Sequence, residues 1–338
     1  MAKATRPVRK IWVTRRPEIV AALRADGREC YLATSLLGLY MQSRAKVFFC
    51  TVNSRDFCFS SLTPRSTIFQ LWHGLPLKKI GFDVTSRPWL KRIVDVVRAS
   101  LTDKYSYVLS PAPEFDDIMQ SAFRVGKERV IRSLYPRCDG LFQAGLHTED
   151  IRSAFNVVTP KLLFYLPTHR KEGRDPAAIN ALIRSIKLLA PKLEDLGITL
   201  IVKPHFYDRD NVVDEKCGNV IITRDLPVDL YRSLSSSDGL ITDYSSISLD
   251  YSAVGRPIFY FVPDIVEYIS QDRESYFDLT TIMPGAAISI VSLSVQIELC
   301  FKAGVPPEKI GINVSEKLYE EPISDYFQRL SERLIYDK

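Results

Sequence analysis

Residues 67–74 read Thr-Ile-Phe-Gln-Leu-Trp-His-Gly, a short apolar run that ends in a polar turn. The run has the length of one buried strand, and Gly74 permits a sharp change of direction directly after it. The same arrangement recurs along the chain, where short apolar runs alternate with longer amphipathic segments. This alternation is typical of α/β proteins with parallel sheets, and we therefore predict that fold class.

The pattern predicts strands in both halves of the chain. These strands are Ile11–Thr14, Lys46–Thr51, Thr67–Trp72, Tyr107–Ser110, Lys161–Leu166, Thr199–Lys203, Val220–Thr223, Gly239–Thr242 and Pro257–Phe261. The predicted helices are Pro17–Asp26, Pro88–Ser100, Pro113–Ala122, Pro176–Leu196, Val228–Leu234, Ser246–Val254 and Pro322–Tyr336. The pattern is weakest over residues 140–160, so we place a domain junction near residue 155. Two Rossmann-like domains, 1–155 and 156–338, would then face each other across a cleft.

Bulk properties exclude several classes of protein. The chain has 338 residues, 46% of them hydrophobic and 25% charged, which is normal for a water-soluble globular protein. Its formal charge of +5 is too small to indicate nucleic-acid binding. No apolar segment is long enough to span a bilayer, and the basic N-terminus lacks the apolar core of a signal peptide. The six cysteines form no Cys-x-x-Cys pair, so we expect buried thiols, no metal site and a cytoplasmic protein.

Polar clusters follow four of the predicted strands, and three of the chain's four histidines lie in them. The clusters are Trp72-His73-Gly74, Pro167-Thr168-His169-Arg170, Lys203-Pro204-His205 and Asp243-Tyr244-Ser245-Ser246. Ligands of parallel sheets bind at the carboxyl ends of the strands, so this placement predicts a functional site. No Gly-x-Gly-x-x-Gly and no Walker loop is present, which argues against a dinucleotide dehydrogenase or a P-loop ATPase.

Each cluster also has a structural interpretation. His169 could simply hydrogen-bond a neighbouring loop, and Lys203 and Arg170 could be charges at the rim. Asp243, Ser245 and Ser246 could have no role beyond capping a helix, because aspartate and serine both satisfy free backbone amides at a helix start. A helix that begins at Ser246 would, however, also direct free N–H groups and its positive dipole end at a phosphate.

Several of these motifs resemble those of the CDP-glycerol glycerophosphotransferases, which include teichoic acid primases and polymerases and transferases that build polyol-phosphate capsules. The resemblance covers residues 30–280. The motifs that carry it are Leu71–Asp83, Tyr165–Arg170, Lys203–His205, Asp238–Ser246, Asp250-Tyr251, Arg256–Ile258 and Tyr276–Asp278. One position departs from the family pattern: His169 occupies a site where the family often has Trp or Phe.

The resemblance implies a GT-B fold and a reaction in the cell envelope. A polyol-phosphate would move from CDP-glycerol or CDP-ribitol to an acceptor hydroxyl, with release of CMP and without a cofactor or a metal. His73 would act as the base and His205 would contact the transferring phosphate. The donor-binding candidates are Arg170, Lys203, Arg224, Asp243, Ser245 and Ser246, and the additional candidates are Gly74, Thr168 and His169.

The acceptor in this family is usually a lipid-linked glycan or polyol phosphate, so we expect a peripheral position at the cytoplasmic face of the membrane. The segment 88–100 could provide contact with anionic lipid, because Trp89 and Ile93 share a helical face and Lys91 and Arg92 are basic. An ordinary core-facing helix explains the same pattern equally well.

Two other functions remain open at this point. A nucleotide-sugar glycosyltransferase or an epimerase could use the same fold, since a fold does not determine a reaction. The chain could also be a non-catalytic scaffold of a capsule-assembly complex, although the presence of His73 and His205 argues against it.

Overall fold

The computed structural model describes residues 8–52, 57–58, 66–74, 76–85, 90, 93–94, 105–142, 148–271, 275–278, 282–309 and 323–336. The chain divides into two compact units. The first unit consists of Met1–Gly74, Lys79–Pro136 and Leu318–Lys338, and the second of Leu75–Lys78 and Arg137–Lys317.

Both units combine short strands with helices. The strands are β1 (Trp12–Thr14), β2 (Cys30–Leu32), β3 (Val47–Cys50), β4 (Thr67–Gln70), β5 (Tyr107–Ser110), β6 (Val130–Arg132), β7 (Lys161–Leu166), β8 (Ile198–Val202), β9 (Glu215–Cys217), β10 (Val220–Ile222), β11 (Gly239–Thr242) and β12 (Ile258–Tyr260). The helices are α1 (Pro17–Ala25), α2 (Leu36–Arg44), α3 (Asp116–Phe123), α4 (Thr148–Ala154), α5 (Pro176–Lys187), α6 (Ala190–Asp195), α7 (Leu230–Ser235), α8 (Ile247–Ser252), α9 (Ile265–Gln271), α10 (Ile290–Ala303) and α11 (Ile323–Tyr336).

The first unit contains a parallel β1–β2 pair and a four-stranded sheet in the order β3-β4-β5-β6, whose neighbours all run parallel. Three aromatic rings stack across β3, β4 and β5: Phe69 lies between Phe49 and Tyr107, with centroids 5.0 Å away on each side. Phe327 of α11 meets Phe49 and Phe69 edge-on. The last helix of the chain therefore belongs to the first unit.

The second unit is built on a six-stranded sheet in the order β12-β11-β7-β8-β10-β9. All described neighbours are parallel except β9, which pairs antiparallel with β10 at the edge. Every residue of β8 is buried, as is β7 after Lys161, because helices cover a parallel sheet on both faces. The carboxyl ends of β7, β8 and β11 consequently lie side by side in this sheet.

Local sequence explains where the helices begin. Asp175 caps α5 by accepting from the Ala178 amide at 3.2 Å, and Pro176 follows at the first helical position. Ser289 opens α10 through a reciprocal capping box with Ser292, and Gly304 ends it with a φ of 70°.

The predicted fold class is confirmed, and most predicted strands lie within a residue or two of their observed bounds. The prediction omitted β2, β6 and β9, and the helices α2, α4, α9 and α10. The single helix predicted over 176–196 is wrong: α5 ends at Lys187 and α6 begins at Ala190, with Pro191 in its first turn. The helix predicted over 88–100 lies mostly outside the described residues.

The two units differ from the predicted division at residue 155 in two places. The first unit ends at Pro136 and takes up the C-terminal segment, because α11 packs on the strands of the first sheet. The stretch expected to be a linker contains α4.

Within the described residues, no helix combines the length and the apolar character needed to cross a bilayer. The six cysteines all lie within the described residues and form no disulfide, and Cys30, Cys50 and Cys138 are buried.

Candidate functional site

The turn after β4 is held by the buried amide of Gln70. Its Nε2 donates to the Val52 carbonyl at 3.2 Å, and its Oε1 accepts from the Trp72 amide at 2.8 Å. Trp72 itself has a φ of 60°, a conformation that a bulky residue adopts only at a cost of about 1–3 kcal/mol. A strained backbone that neighbouring hydrogen bonds maintain is a common property of functional turns.

The turn presents His73 as an exposed side chain with one ring nitrogen engaged. Nδ1 lies 2.8 Å from the carbonyl oxygen of Thr51. Because a carbonyl oxygen can only accept, the neutral ring must carry its proton on Nδ1. Nε2 then keeps a lone pair, which is the arrangement that a general base requires.

Gly74 supports this turn from the other side. It is buried, and its carbonyl accepts from the hydroxyl of the buried Tyr135 at 3.1 Å. The structure thus brings His73 and Gly74 together at the carboxyl edge of the first sheet. Both predicted positions lie in the first unit.

The loop after β7 is organised by Arg170, whose side chain is only 7% exposed. Its guanidinium donates to Asp264 at 2.7 Å, to Asp243 at 3.0 Å and to the Thr168 carbonyl at 2.6 Å. Burial opposes the positive charge, but the two carboxylates outweigh it, and the pKa of Arg170 is raised above its ordinary value. Arg170 and Asp243 therefore join the ends of β7 and β11.

Thr168 lies within the same network. Its amide donates to Asp243 Oδ1 at 2.8 Å. Its hydroxyl oxygen is buried and, among the described residues, has no hydrogen-bond partner. A buried hydroxyl without a partner is unusual and marks a position where a bound group could supply one.

Asp264, Tyr244 and Tyr268 complete the network and were not among the predicted site residues. The Tyr244 hydroxyl donates to Asp264 at 3.0 Å, and the rings of Tyr244 and Tyr268 stack 3.5 Å apart. The Nζ of Lys78 lies 4.9 Å from the Tyr268 ring centroid. The sequence held one signal for Asp264: it follows Pro263 just beyond β12, as Asp243 follows β11.

The end of β8 carries Lys203 and His205, both half-buried. Burial lowers the pKa of Lys203, and burial together with the charges of His169 and Lys203 lowers the pKa of His205 to about 4. The imidazoles of His169 and His205 lie 4.8 Å apart, between ring centroids. Three predicted site residues therefore meet at the ends of β7 and β8.

Ser245 and Ser246 lie at the start of α8, as predicted. Ser245 Oγ accepts from the Ile247 amide at 3.4 Å, and Ser246 is the N-cap residue but makes no side-chain cap bond. Both are half-buried. The helix has six residues and is shorter than predicted, so fewer aligned peptide dipoles act at its start.

Arg224 is the predicted residue that the structure places apart from this group. It follows β10, is largely exposed, and its side chain and amide both contact Asp214, at 3.4 and 2.7 Å. Within the described residues, no group of three or more metal-ligating side chains is placed to hold a metal ion.

Comparison with known proteins identifies relatives. Residues 1–293 match the family described as CDP-Glycerol:Poly(glycerophosphate) glycerophosphotransferase. The teichoic acid glycerol-phosphate transferase of Staphylococcus aureus (strain NCTC 8325 / PS 47) is 29% identical over 259 residues, which are 72% of this chain and 64% of that protein. The teichoic acid ribitol-phosphate primase of Bacillus spizizenii (strain ATCC 23059 / NRRL B-14472 / W23) is 26% identical over 272 residues, 77% of this chain and 67% of that protein. The chain thus spans about two thirds of the length of these curated relatives.

Solved structures confirm the fold. The wall teichoic acid polymerase TagF has a TM-score of 0.71 at 22% identity, over 97% of this chain and 82% of that one. A variant of the same protein has been solved after a soak with CDPG. The GT-B fold predicted from the sequence is therefore confirmed.

Proposed function

The chain belongs to the CDP-glycerol:poly(glycerophosphate) glycerophosphotransferase family, and from this membership we propose that it transfers a polyol-phosphate from a CDP-polyol to an acceptor hydroxyl in the synthesis of a cell-wall polymer. The transferred group that we favour is glycerol-phosphate, from CDP-glycerol. The alternative is ribitol-phosphate, from CDP-ribitol. The acceptor oxygen attacks the distal phosphorus of the diphosphate and forms a new P–O bond. The bond from that phosphorus to the bridging oxygen breaks, and CMP leaves with the bridging oxygen.

Within the structure, the observation that supports a base for this reaction is the hydrogen bond between His73 Nδ1 and the Thr51 carbonyl. It directs the unprotonated Nε2 outward, where it can take the proton of an acceptor hydroxyl as the hydroxyl attacks. A base in this role typically accelerates a reaction about 10²- to 10⁴-fold. We therefore assign the acceptor-side chemistry to the first unit, within the predicted domain 1–155.

We assign binding of the donor to the second unit, through residues that lie in the predicted domain 156–338. Lys203 and His205 follow β8, and Ser245 and Ser246 follow β11, two strands of one sheet that are separated by β7. Cations and hydroxyls suit a diphosphate. Charge stabilisation and positioning of the phosphoryl group account for most of the catalysis of such a transfer. Arg170 and Asp243 act differently from the direct donor contacts predicted, because each is buried and already paired. They hold the loop that carries Thr168 and His169.

The acceptor is proposed to be lipid-linked, with the protein peripheral at the cytoplasmic face of the membrane. Leu90, Ile93 and Val94 are more than half exposed, at 60%, 52% and 62%, and these apolar side chains would suit the interface of a bilayer. Flotation with anionic vesicles at low salt tests this contact. Absence of binding would assign these residues another role.

Donor class is tested by calorimetric titration of the purified protein with CDP-glycerol, CDP-ribitol, UDP-N-acetylglucosamine and GDP-mannose. We expect saturable binding of a CDP-polyol and at least tenfold weaker binding of both nucleotide sugars. Preferential binding of a nucleotide sugar would contradict the proposed function and support a glycosyltransferase or an epimerase.

A further inference from the structure

Two histidine side chains face each other at the carboxyl ends of β7 and β8. The rings of His169 and His205 meet at 62° with their centroids 4.8 Å apart. The ring of Tyr207 lies 5.2 Å from His169 and 5.3 Å from His205. Two titratable rings at this separation influence each other's protonation strongly, so their protons belong to the pair rather than to either ring.

The ring of His205 is oriented by the backbone. Its Nδ1 accepts from the Tyr207 amide at 3.3 Å, which places the proton of the neutral ring on Nε2. Nε2–H is therefore a donor, directed away from the short helical turn Phe206–Asn211. A phosphate oxygen could accept from it.

The charges that act on His205 are both positive, and they come from His169 and Lys203. Nearby acidic residues do little to offset these positive charges. Arg209 and Asp225 act on Lys203 with opposite signs and pair with each other at 2.5 Å. Asp208, on the same turn as His205, is fully buried, and burial raises the pKa of its carboxyl.

Without a ligand, this environment keeps His205 uncharged near neutral pH, since burial disfavours charge and cations repel a further proton. A bound diphosphate reverses the balance, because it brings one negative charge on each phosphate next to three groups that can be cationic. Binding of the anion and protonation of the pair must then strengthen each other by the same factor.

We propose that His169 and His205 form a proton-coupled subsite for the diphosphate of the donor, so that binding of a CDP-polyol is accompanied by uptake of a proton by the pair, on His169 or, with loss of the Tyr207 amide bond, on Nδ1 of His205. This inference rests on the proposed function and extends it to a residue, His169, at which this chain departs from the resembling family. Lys203 completes the subsite as a fixed cation.

The coupling has a definite sign. The diphosphate diester of a CDP-polyol does not titrate near neutrality, so any dependence of its affinity on pH belongs to the protein. Affinity rises as pH falls, by up to about tenfold per pH unit for one proton, between the raised pKa of the pair in the complex and its lower pKa in the free protein.

The test is calorimetric titration with CDP-glycerol at pH 6 and pH 7.5, repeated in buffers of different ionisation enthalpy, which reports the number of protons taken up. The wild type is compared with H169Q, H205Q and the double variant, and H73N serves as the histidine control from the other unit. We expect uptake approaching one proton at the lower pH in the wild type and in H73N, and none in the double variant.

A second measurement keeps the inference testable if the double variant folds or binds poorly. Imidazole resonances of the wild type are titrated with pH by NMR, with and without CDP-glycerol, and assigned with the single variants. A rise in the pKa of at least one ring of the pair on binding supports the subsite. CDP-glycerol binding without proton uptake, or with equal uptake in the double variant, overturns the inference and leaves the proposed function intact. Failure of CDP-glycerol to bind at any pH overturns both.

Discussion

At His73, one hydrogen bond determines the chemistry of the side chain. The Thr51 carbonyl fixes the proton on Nδ1, and the basic nitrogen is therefore the one that faces outward. The sequence placed His73 at a strand end, but only the fold shows that Thr51, 22 residues earlier, selects its tautomer.

His73→Asn retains a side-chain donor for the Thr51 carbonyl but removes the proposed base. We expect the rate of CMP release to fall about 10²- to 10⁴-fold, the usual contribution of a general base. The dissociation constant for CDP-glycerol, measured by calorimetry on the same sample, should not change. A variant that turns over at more than a tenth of the wild-type rate would exclude His73 as the base.

His205 makes the stability of the protein depend on pH. Its pKa lies near 6.5 in an ordinary environment and is lowered to about 4 here, chiefly by burial. Between these values the unfolded chain binds more protons than the folded one, so stability falls as pH falls through this window and levels off below it.

His205→Gln should remove this dependence. Solvent screens the half-exposed ring and reduces the effect. We therefore expect the free energy of unfolding of the wild type to fall by about 1–2 kcal/mol relative to that of H205Q between pH 6.5 and pH 4. Urea unfolding of the unliganded proteins across this range measures the difference. If the stabilities of the two proteins changed with pH in parallel, protonation of His205 would not destabilise the folded protein.

Among the structural elements, the start of α8 carries the donor-site prediction. Ser245 and Ser246 offer two hydroxyls beside the end of β11, and each hydrogen bond to a charged phosphate contributes about 1.5–3 kcal/mol. S245A/S246A should therefore weaken CDP-glycerol binding by tenfold or more. S252A is the matched control, because Ser252 lies at the far end of the same helix and donates to the Leu249 carbonyl. Equal affinity of both variants for CDP-glycerol would remove the turn from the donor site.

The Arg170 network connects three structural elements, because it joins the ends of β7 and β11 to the residue preceding α9. Asp243→Asn leaves the buried guanidinium with one carboxylate, and we expect a loss of about 3 kcal/mol in the free energy of unfolding. The control is D225N, which breaks the exposed pair with Arg209 and should cost less than about 1 kcal/mol. Similar losses in urea unfolding would mean that the network does not stabilise the loop.

How far the sequence predicts these elements depends on whether local pattern or tertiary contact determines them. Strands buried on both faces, such as β7 and β11, are continuous apolar runs, and their bounds were predicted correctly. The edge strand β9 is mostly polar and therefore has no clear apolar period. Helix α10 is apolar on opposite faces, with Leu293 buried and Val295 exposed, and so it also lacks a clear hydrophobic period. The clusters at strand ends were predictable because parallel strands align their carboxyl ends. The partners Asp264 and Thr51 were not, since only folding brings them to Arg170 and His73.

At the scale of the whole molecule, two parallel α/β units carry different chemistry on their sheet edges. The first presents an exposed histidine on a strained turn, and the second gathers imidazoles, a lysine and serine hydroxyls around neighbouring strands. We propose a functional meaning for this division: the first unit activates the acceptor and the second holds the donor.

The most direct test is transfer itself. Purified protein is incubated with CDP-glycerol and, in parallel, CDP-ribitol, together with a lipid-linked glycan that bears a free hydroxyl. CMP is quantified by chromatography and the acceptor product by mass spectrometry and ³¹P NMR. We predict one new phosphodiester on the acceptor for each CMP released, with both signals lost in H73N. Binding of a CDP-polyol with no CMP and no phosphodiester, or consumption of a nucleotide sugar by the same preparation, would contradict the assignment as a polyol-phosphate transferase.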